Sequence, residues 1–295
     1  MKLGLGTAQF GLDYGVSNRD GKTPASEVAA ILRAALAHGI EVLDTAPLYG
    51  DSEASLGQAL AGSSRFRVVT KTPAFGRRPI SADDVSYLRD TFRQSLQNLA
   101  TGGVYGLLIH HADDLLAENG AILFEAAYSM KQEGLVQKVG VSVYSGEQID
   151  AILGRFQVDL VQLPFNILDQ RLRSGGQLRR LKAAGIEIHA RSVFLQGLLL
   201  MPPPALPGYF EPLRGHLSKL HRQLEHMGLT PLEAALGFVL GIDEVDVVLC
   251  GVNNERQLLE ICAAAARRVD MPALHRYAYG DQAMLDPTRW PQALH

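Results

Sequence analysis

The feature that most constrains this chain is a strand-and-helix unit repeated eight times. Short apolar runs, each a candidate strand, occupy Lys2 to Gly6, Ile40 to Asp44, Arg67 to Lys71, Val104 to His110, Lys138 to Ser142, Leu160 to Pro164, Glu187 to Arg191 and Val245 to Leu249. A helix is predicted after each. Thr23 and Pro24 read as a cap with proline in the first turn of the first helix, which runs to about His38 with Val28, Ile31, Leu32, Ala35 and Leu36 on one face. Asp51 or Ser52 can cap the next, Glu53 to Leu60, and Ser81 with Asp84 caps a long helix carrying Val85, Leu88, Phe92, Leu96 and Leu99. Between Gly6 and Gly251 the units recur roughly every 35 residues, which suits a strand, two short loops and a helix.

Eight such units predict an α/β fold, a closed parallel (β/α)8 (TIM) barrel. The gap from Arg191 to Gly251 is too long for one unit. It holds Met201-Pro202-Pro203-Pro204, an extra helix near Tyr209 to Met227, and the expected helix capped by Thr230-Pro231-Leu232-Glu233, so an inserted helical segment is expected between strands seven and eight. A doubly wound open sheet would need a glycine-rich turn directly after its first strand, opening a helix. Here Gly4-Leu5-Gly6 lies within the strand and a long loop, Thr7 to Lys22, follows. Residues 1–295 are therefore read as one barrel domain, with a C-terminal tail from about residue 268 near the barrel mouth.

Hydrophobic residues make up 47% and charged residues 20%, enough for a sizeable core. A net charge of −3 gives no broad pull toward nucleic acid or anionic membrane. The longest apolar runs fall short of the ~20 residues of a membrane span. The N-terminus lacks the basic flank and apolar core of a signal peptide. Cys250 and Cys262 have no metal-binding or redox spacing and read as reduced thiols. A soluble cytoplasmic protein is expected.

In a barrel of this kind, active sites lie at the carboxyl ends of the strands. Asp44, Lys71 and His110 end strands two, three and four, and Tyr49 lies in the loop after strand two. Singly, each has a plain structural reading; their joint placement is what carries weight. A phenol with a reference pKa near ~10 is a poor acid at neutral pH. A neighbouring ammonium favours the phenolate and should lower that value. A carboxylate offsets the burial of the ammonium. An imidazole can orient a substrate oxygen by hydrogen bonding. Together these groups could protonate an oxygen gaining negative charge, as in carbonyl reduction. His110 and His111 invite a metal reading, but neighbours on a strand face opposite ways, and no metal is expected.

The segments Leu3-Gly4-Leu5-Gly6-Thr7, Leu43-Asp44-Thr45-Ala46 with Tyr49-Gly50 and Glu53, Thr70-Lys71, Leu108-Ile109-His110 and Gly140-Val141-Ser142 resemble the aldo-keto reductase superfamily, in order along nearly the whole chain. The resemblance implies a barrel that binds NADPH in extended form without a Rossmann domain, with use of NADH open. It implies Tyr49 as general acid, Lys71 paired with Asp44, and His110 orienting the substrate carbonyl, with the hydride coming from the nicotinamide.

The same resemblance places Gly6 and Thr7 at the cofactor and sets Ser142 and Gln162 on the nicotinamide carboxamide, with Val143 where an asparagine is usual. Arg191 and Ser192 stand where an aromatic ring is usual beneath the nicotinamide. Arg191 either stacks there or pairs with a carboxylate. Phe194 to Leu198, including Leu195 and Gly197, resembles a loop over the pyrophosphate. Gly251 and Asn253 precede a helix whose N-terminus suits an anion, and Gln257 and Glu260 match positions near the adenosine. Arg256 is the nearby cation for a 2′-phosphate. His111 stands where relatives often have tryptophan. Phe10, Tyr14, His111, Phe165 and Phe194 are expected to wall a substrate pocket, and Trp290 in the tail to help close it. The expected function is NADP(H)-dependent interconversion of a small aldehyde or ketone, a sugar-derived carbonyl for example, with its alcohol. The alternative is a nucleotide-binding regulatory barrel with little turnover, similar to the potassium-channel β subunits.

Overall fold

The structure is a computed structural model and describes residues 2–60, 65–76, 78–267 and 272–291. Its frame is a closed barrel of β1 (Leu3–Gly6), β2 (Val42–Asp44), β3 (Arg67–Lys71), β4 (Val104–Ile109), β5 (Val136–Ser142), β6 (Leu160–Pro164), β7 (Glu187–Arg191) and β8 (Val247–Gly251), paired in chain order and closed by β1 on β8. Every pairing is parallel. This is the (β/α)8 barrel the sequence predicts. Parallel neighbours need a crossover, and helices supply it: α2 (Ala25–Ala37), α3 (Ser52–Leu60), α4 (Ala82–Asn98), the short α5 (Ala112–Leu116) with α6 (Ala121–Gln132), α7 (Gly146–Leu153), α9 (Gln177–Ala183) and α11 (Pro231–Leu240), with α12 (Glu255–Ala265) after β8.

Alternation along the strands divides the core in two. Val42, Val69, Leu108, Leu160, Val247 and Leu249 fill the barrel interior, with Tyr105 packed against them. A larger apolar layer lies between the strands and the helices. Capping follows the sequence in two places. The Asp84 carboxylate accepts from the Ser81 backbone N–H at 2.9 Å and its hydroxyl at 2.8 Å, starting α4. Thr230 and Glu233 bond reciprocally at the start of α11.

Other local expectations shift. The loop after β1 contains a short helix, α1 (Ala8–Gly11), because Phe10 turns into the core. Pro24 rather than Thr23 is the residue before α2. Strand β8 starts two residues later than its apolar run, since Val245 is buried in the turn before it. The helix expected after β6, near Gln177 to Ala184, is present as α9, and an extra short helix, α8 (Arg171–Ser174), precedes it across Gly175 and Gly176.

Between β7 and β8 the chain makes short 3₁₀ turns and then α10 (Glu211–His226), which buries Leu213, Leu217, Leu220 and Leu224 at helical spacing. The tail docks on this insertion and on the loop after β6. Tyr279 N–H donates to Leu168 O at 2.8 Å, and Tyr209 Oη to Ala283 O at 3.2 Å. Parts of the tail expected near the mouth, residues 268–271 and 292–295, lie outside the described residues.

At the amino end of the barrel a polar group caps the interior. Glu187 on β7 receives Tyr105 Oη at 2.6 Å, His189 Nε2 at 2.8 Å, and Lys138 Nζ. Burial works against the Glu187 carboxylate, but the hydrogen bonds from His189, Lys138 and Tyr105 outweigh it and hold its pKa well below the usual range. Its contribution to stability is therefore complete above about 4.5 and is lost as pH falls toward the folded-state value. Glu187→Gln is expected to flatten the acid limb of the stability profile below about 4.5, read from urea midpoints across pH.

Candidate active site

At the opposite, carboxyl end, β2 delivers Asp44 and β3 delivers Lys71. The Lys71 side chain is fully buried and its ammonium has found its partners. Nζ donates to Asp44 Oδ1 at 2.9 Å, Asp44 Oδ2 at 2.8 Å and Thr45 O at 2.9 Å. Tyr49 Oη lies 3.3 Å from the same nitrogen, which sits 4.7 Å from the centre of the phenol ring. Gln162 on β6 reaches across the barrel, its Nε2 2.6 Å from Asp44 Oδ1. His110, one residue past β4, sets its ring edge-on to Tyr49 with 6.0 Å between centres.

The loop carrying Tyr49 is held by close backbone contact. Gly11 in α1 and Gly50 touch: a Cβ on Gly11 would fall 1.8 Å from Tyr49 O, and one on Gly50 2.4 Å from Gly11 O. Gly50 also takes φ +58°, which favours glycine. Behind the loop, Ser52 Oγ donates to Thr7 O at 2.8 Å and lies 2.9 Å from Thr7 Oγ1, whose own hydroxyl donates to Asp44 O at 2.9 Å. Ser52, expected as a candidate cap, instead ties the first and second loops together.

Burial shapes the protonation states. The Tyr49 hydroxyl is pushed up from its ordinary value, first by burial and then by the Asp44 charge. This reverses the expectation of a lowered phenol: Lys71 is already engaged by Asp44. Tyr49 therefore rests as a neutral hydroxyl, and the ammonium 3.3 Å away favours the charge that appears only when the proton leaves. Burial also lowers Lys71, opposed by Asp44. His110 is lowered to about 2 by burial, then by the charges of Lys71 and its other neighbours, so its imidazole is neutral. Its Nδ1 is buried without a hydrogen-bond partner. Tyr14 is pushed up to about 12, mainly by burial, and is a second neutral phenol beside the first.

A cavity of about 570 Å³ opens at this end. Gly6, Thr7, Tyr14, Tyr49, His110, Ser142, Gln162, Arg191, Ser192, Phe194, Gly197, Gly251, Asn253, Gln257 and Glu260 line it. Others of the expected set stand elsewhere. Phe10 and Phe165 are fully buried, Phe165 stacked on Phe238 at 5.7 Å, so both belong to the core instead of the pocket wall. Leu195 is also buried in the core, held by a left-handed backbone shared with Ser192, Gln196 and Gly197. Trp290 packs on Phe210 at 4.8 Å instead of covering the cavity. His111 lies outside the lining and stacks on His110 at 4.9 Å. The strand ends at Ile109, so the alternation expected to part the two rings does not apply.

Arg191 lines the cavity, without a carboxylate partner among the described residues. Its guanidinium lies 4.1 Å from the centre of the Tyr144 ring, and donates to Val143 O at 3.1 Å and Ser192 Oγ at 3.2 Å. The carbonyl of Val143 thus holds Arg191 even though its side chain is buried. Beyond β8, the amides expected for an anion are partly spoken for. Asn253 N–H donates to Gln257 Oε1 at 2.8 Å, and Glu255 N–H to Glu27 at 3.0 Å. Arg256 is exposed and 3.9 Å from Glu260. Gln196, in the loop expected over the pyrophosphate, also lines the cavity, as do Tyr144, Gln9, Asn18 and Arg19, which the sequence reading does not single out. For Tyr144 the signal was present, two residues beyond Ser142 at a strand end. For the first-loop residues there was none, since no periodicity marks them.

A sequence model described as the Aldo/keto reductase family matches residues 2–273. An uncharacterized oxidoreductase of Bacillus subtilis, YqkF, is 25% identical over 287 residues, covering 91% of this chain and 92% of the relative. L-galactose dehydrogenase of Arabidopsis thaliana is 25% identical over 313 residues, covering 99% and 94%. An aldo-keto reductase of Bacillus halodurans, solved in holo form, superposes with a TM-score of 0.75 at 22% identity, covering 100% of this chain and 95% of that one. That structure shares the barrel.

Two substitutions probe the site as built. Asp44→Ala leaves a buried ammonium without its carboxylate and is expected to cost about 3–5 kcal/mol, measured by urea unfolding. The double variant Asp44→Leu with Lys71→Met should recover most of that loss, because no lone charge remains. Gly11→Ala should push against the Tyr49 carbonyl and cost about 1–3 kcal/mol in the same assay.

Proposed function

The chain belongs to the aldo/keto reductase family, and we propose that it reduces an aldehyde or ketone to an alcohol with NADP(H), or runs the reverse, with Tyr49 as general acid. The carrying observation is the 3.3 Å contact between Lys71 Nζ and Tyr49 Oη, with Lys71 held by Asp44.

The residues present fit a nicotinamide nucleotide. The cavity offers the Ser142 hydroxyl and Gln162 amide near Tyr49, and Asn253, Gln257 and Glu260 around α12. The buried Gln162 Oε1 has no hydrogen-bond partner among the described residues. When bound, the reduced nicotinamide supplies the hydride. Tyr49 donates its proton to the substrate oxygen as charge builds there. Lys71 favours the phenolate oxygen left behind, and Asp44 keeps Lys71 in place. The neutral His110 imidazole orients the substrate oxygen. For the 2′-phosphate we assign Arg19, which lines the cavity, with exposed Arg256 as the second cation; Asp20 and Glu260 line the same cavity and leave NADH a usable alternative. A hydroxyl-rich, sugar-derived carbonyl suits the polar wall of Tyr14, Gln9, Asn18 and Gln196, and one relative is named for L-galactose.

Tyr49→Phe removes the acid and leaves the ring. It is expected to lower kcat by about 10²–10⁴, with NADPH affinity within about twofold of the unaltered protein, measured by stopped-flow turnover and nucleotide titration. Near-normal turnover by the variant rejects the assigned role. Tight nucleotide binding by the unaltered protein, without turnover on aldehydes, ketones or sugars, favours the regulatory barrel.

A further inference from the structure

Strand β7 places Glu187, His189 and Arg191 on one face, two residues apart. His189 is fully buried, with Nε2 2.8 Å from Glu187 Oε1. A carboxylate only accepts, so Nε2 carries a proton, and in the tautomer with that single proton the ring presents Nδ1 as an acceptor. That Nδ1 is buried and has no partner among the described residues. Directly across the parallel ladder from His189 stands Gln162 on β6. Gln162 donates through Nε2 to Asp44, which turns its Oε1 away from the carboxylate. Oε1 too is buried and without a partner.

Two buried acceptors at one level of adjacent strands cannot satisfy each other. One water can satisfy both, because it has two hydrogens to give and the site is polar on both sides. We propose that His189 is a positioning residue for Gln162, acting through one shared water that donates to His189 Nδ1 and Gln162 Oε1. The effect is on the Gln162 amide. The reversed amide would set Oε1 against Asp44 Oδ1 with no proton between them, and would turn its N–H groups toward the water. The His189 side thus fixes which end of the amide meets Asp44. Through Asp44 it bears on Lys71. Glu187 in turn fixes the tautomer of His189, so the polar cap at the amino end is connected to the site at the carboxyl end.

The proposal rests on the proposed function only where nucleotide binding is the readout. Two variants separate its parts. In His189→Asn the amide oxygen stands near the place of Nδ1, and the Glu187 contact is lost. In His189→Gln the amide nitrogen stands near the place of Nε2, and the acceptor toward Gln162 is lost. In the nucleotide-free protein, the side-chain amide of Gln162, assigned by its loss in Gln162→Leu, should give an exchange-protected ¹⁵N–¹H signal because it donates to Asp44. That protection is expected to survive in His189→Asn and vanish in His189→Gln. NADPH titration should weaken about five- to tenfold in His189→Gln and stay within about twofold in His189→Asn. The reverse pattern, or equal behaviour of the two variants in the amide signal, overturns the proposal. An amide signal that follows the expected pattern while NADPH affinity stays constant supports it and rejects Gln162 as a nucleotide contact. A high-resolution crystal structure of the unaltered protein decides independently of how the variants fold. A water within hydrogen-bond distance of both atoms is expected there, and a site without one overturns the proposal.

Discussion

The buried pair of Lys71 and Asp44 is the constraint around which the site is built. Removing an ammonium and a carboxylate from water is costly, and their attraction offsets the cost only when the remaining protons and lone pairs find partners. Here they do. The three ammonium protons go to both Asp44 oxygens and to Thr45 O. Asp44 accepts a further bond from Gln162. Such an arrangement contributes little net stability but leaves little freedom of position. The phenol of Tyr49 stands against it as a neutral hydroxyl, raised by burial and by Asp44. The field of the pair favours negative charge on the phenol oxygen, and a preorganised cation needs no rearrangement to do so.

Much of this was legible in the sequence, and the reasons are physical. Strands buried on both faces read as apolar runs, so β3, β6 and β7 fall where Arg67–Lys71, Leu160–Pro164 and Glu187–Arg191 predict. The parallel barrel then fixes the end at which Asp44, Lys71 and His110 emerge. Capping residues marked the starts of α4 and α11 because their chemistry is local.

What was not legible depends on long-range packing. Nothing in the sequence tells a pocket phenylalanine from a core one, and Phe10 and Phe165 fell on the core side. The direction of the Tyr49 shift depends on whether Lys71 is free or already engaged, which only the fold decides. The protein partners of Arg191 were not legible either: instead of a carboxylate it meets the Tyr144 ring and the carbonyl of Val143. His111 misled because the alternation rule stops where the strand stops, at Ile109.

The contact between Gly11 and Gly50 has a consequence for how such a barrel can diversify. With backbone against backbone, the loops after β1 and β2 behave as one rigid block. A change of length or course in either must be matched in the other, or Tyr49 is carried off Lys71. New ligand preferences are therefore most accessible through the other walls, above all the insertion between β7 and β8, where side chains can change without disturbing that block. One side of the cavity is anchored by that block, and the other is left free to drift.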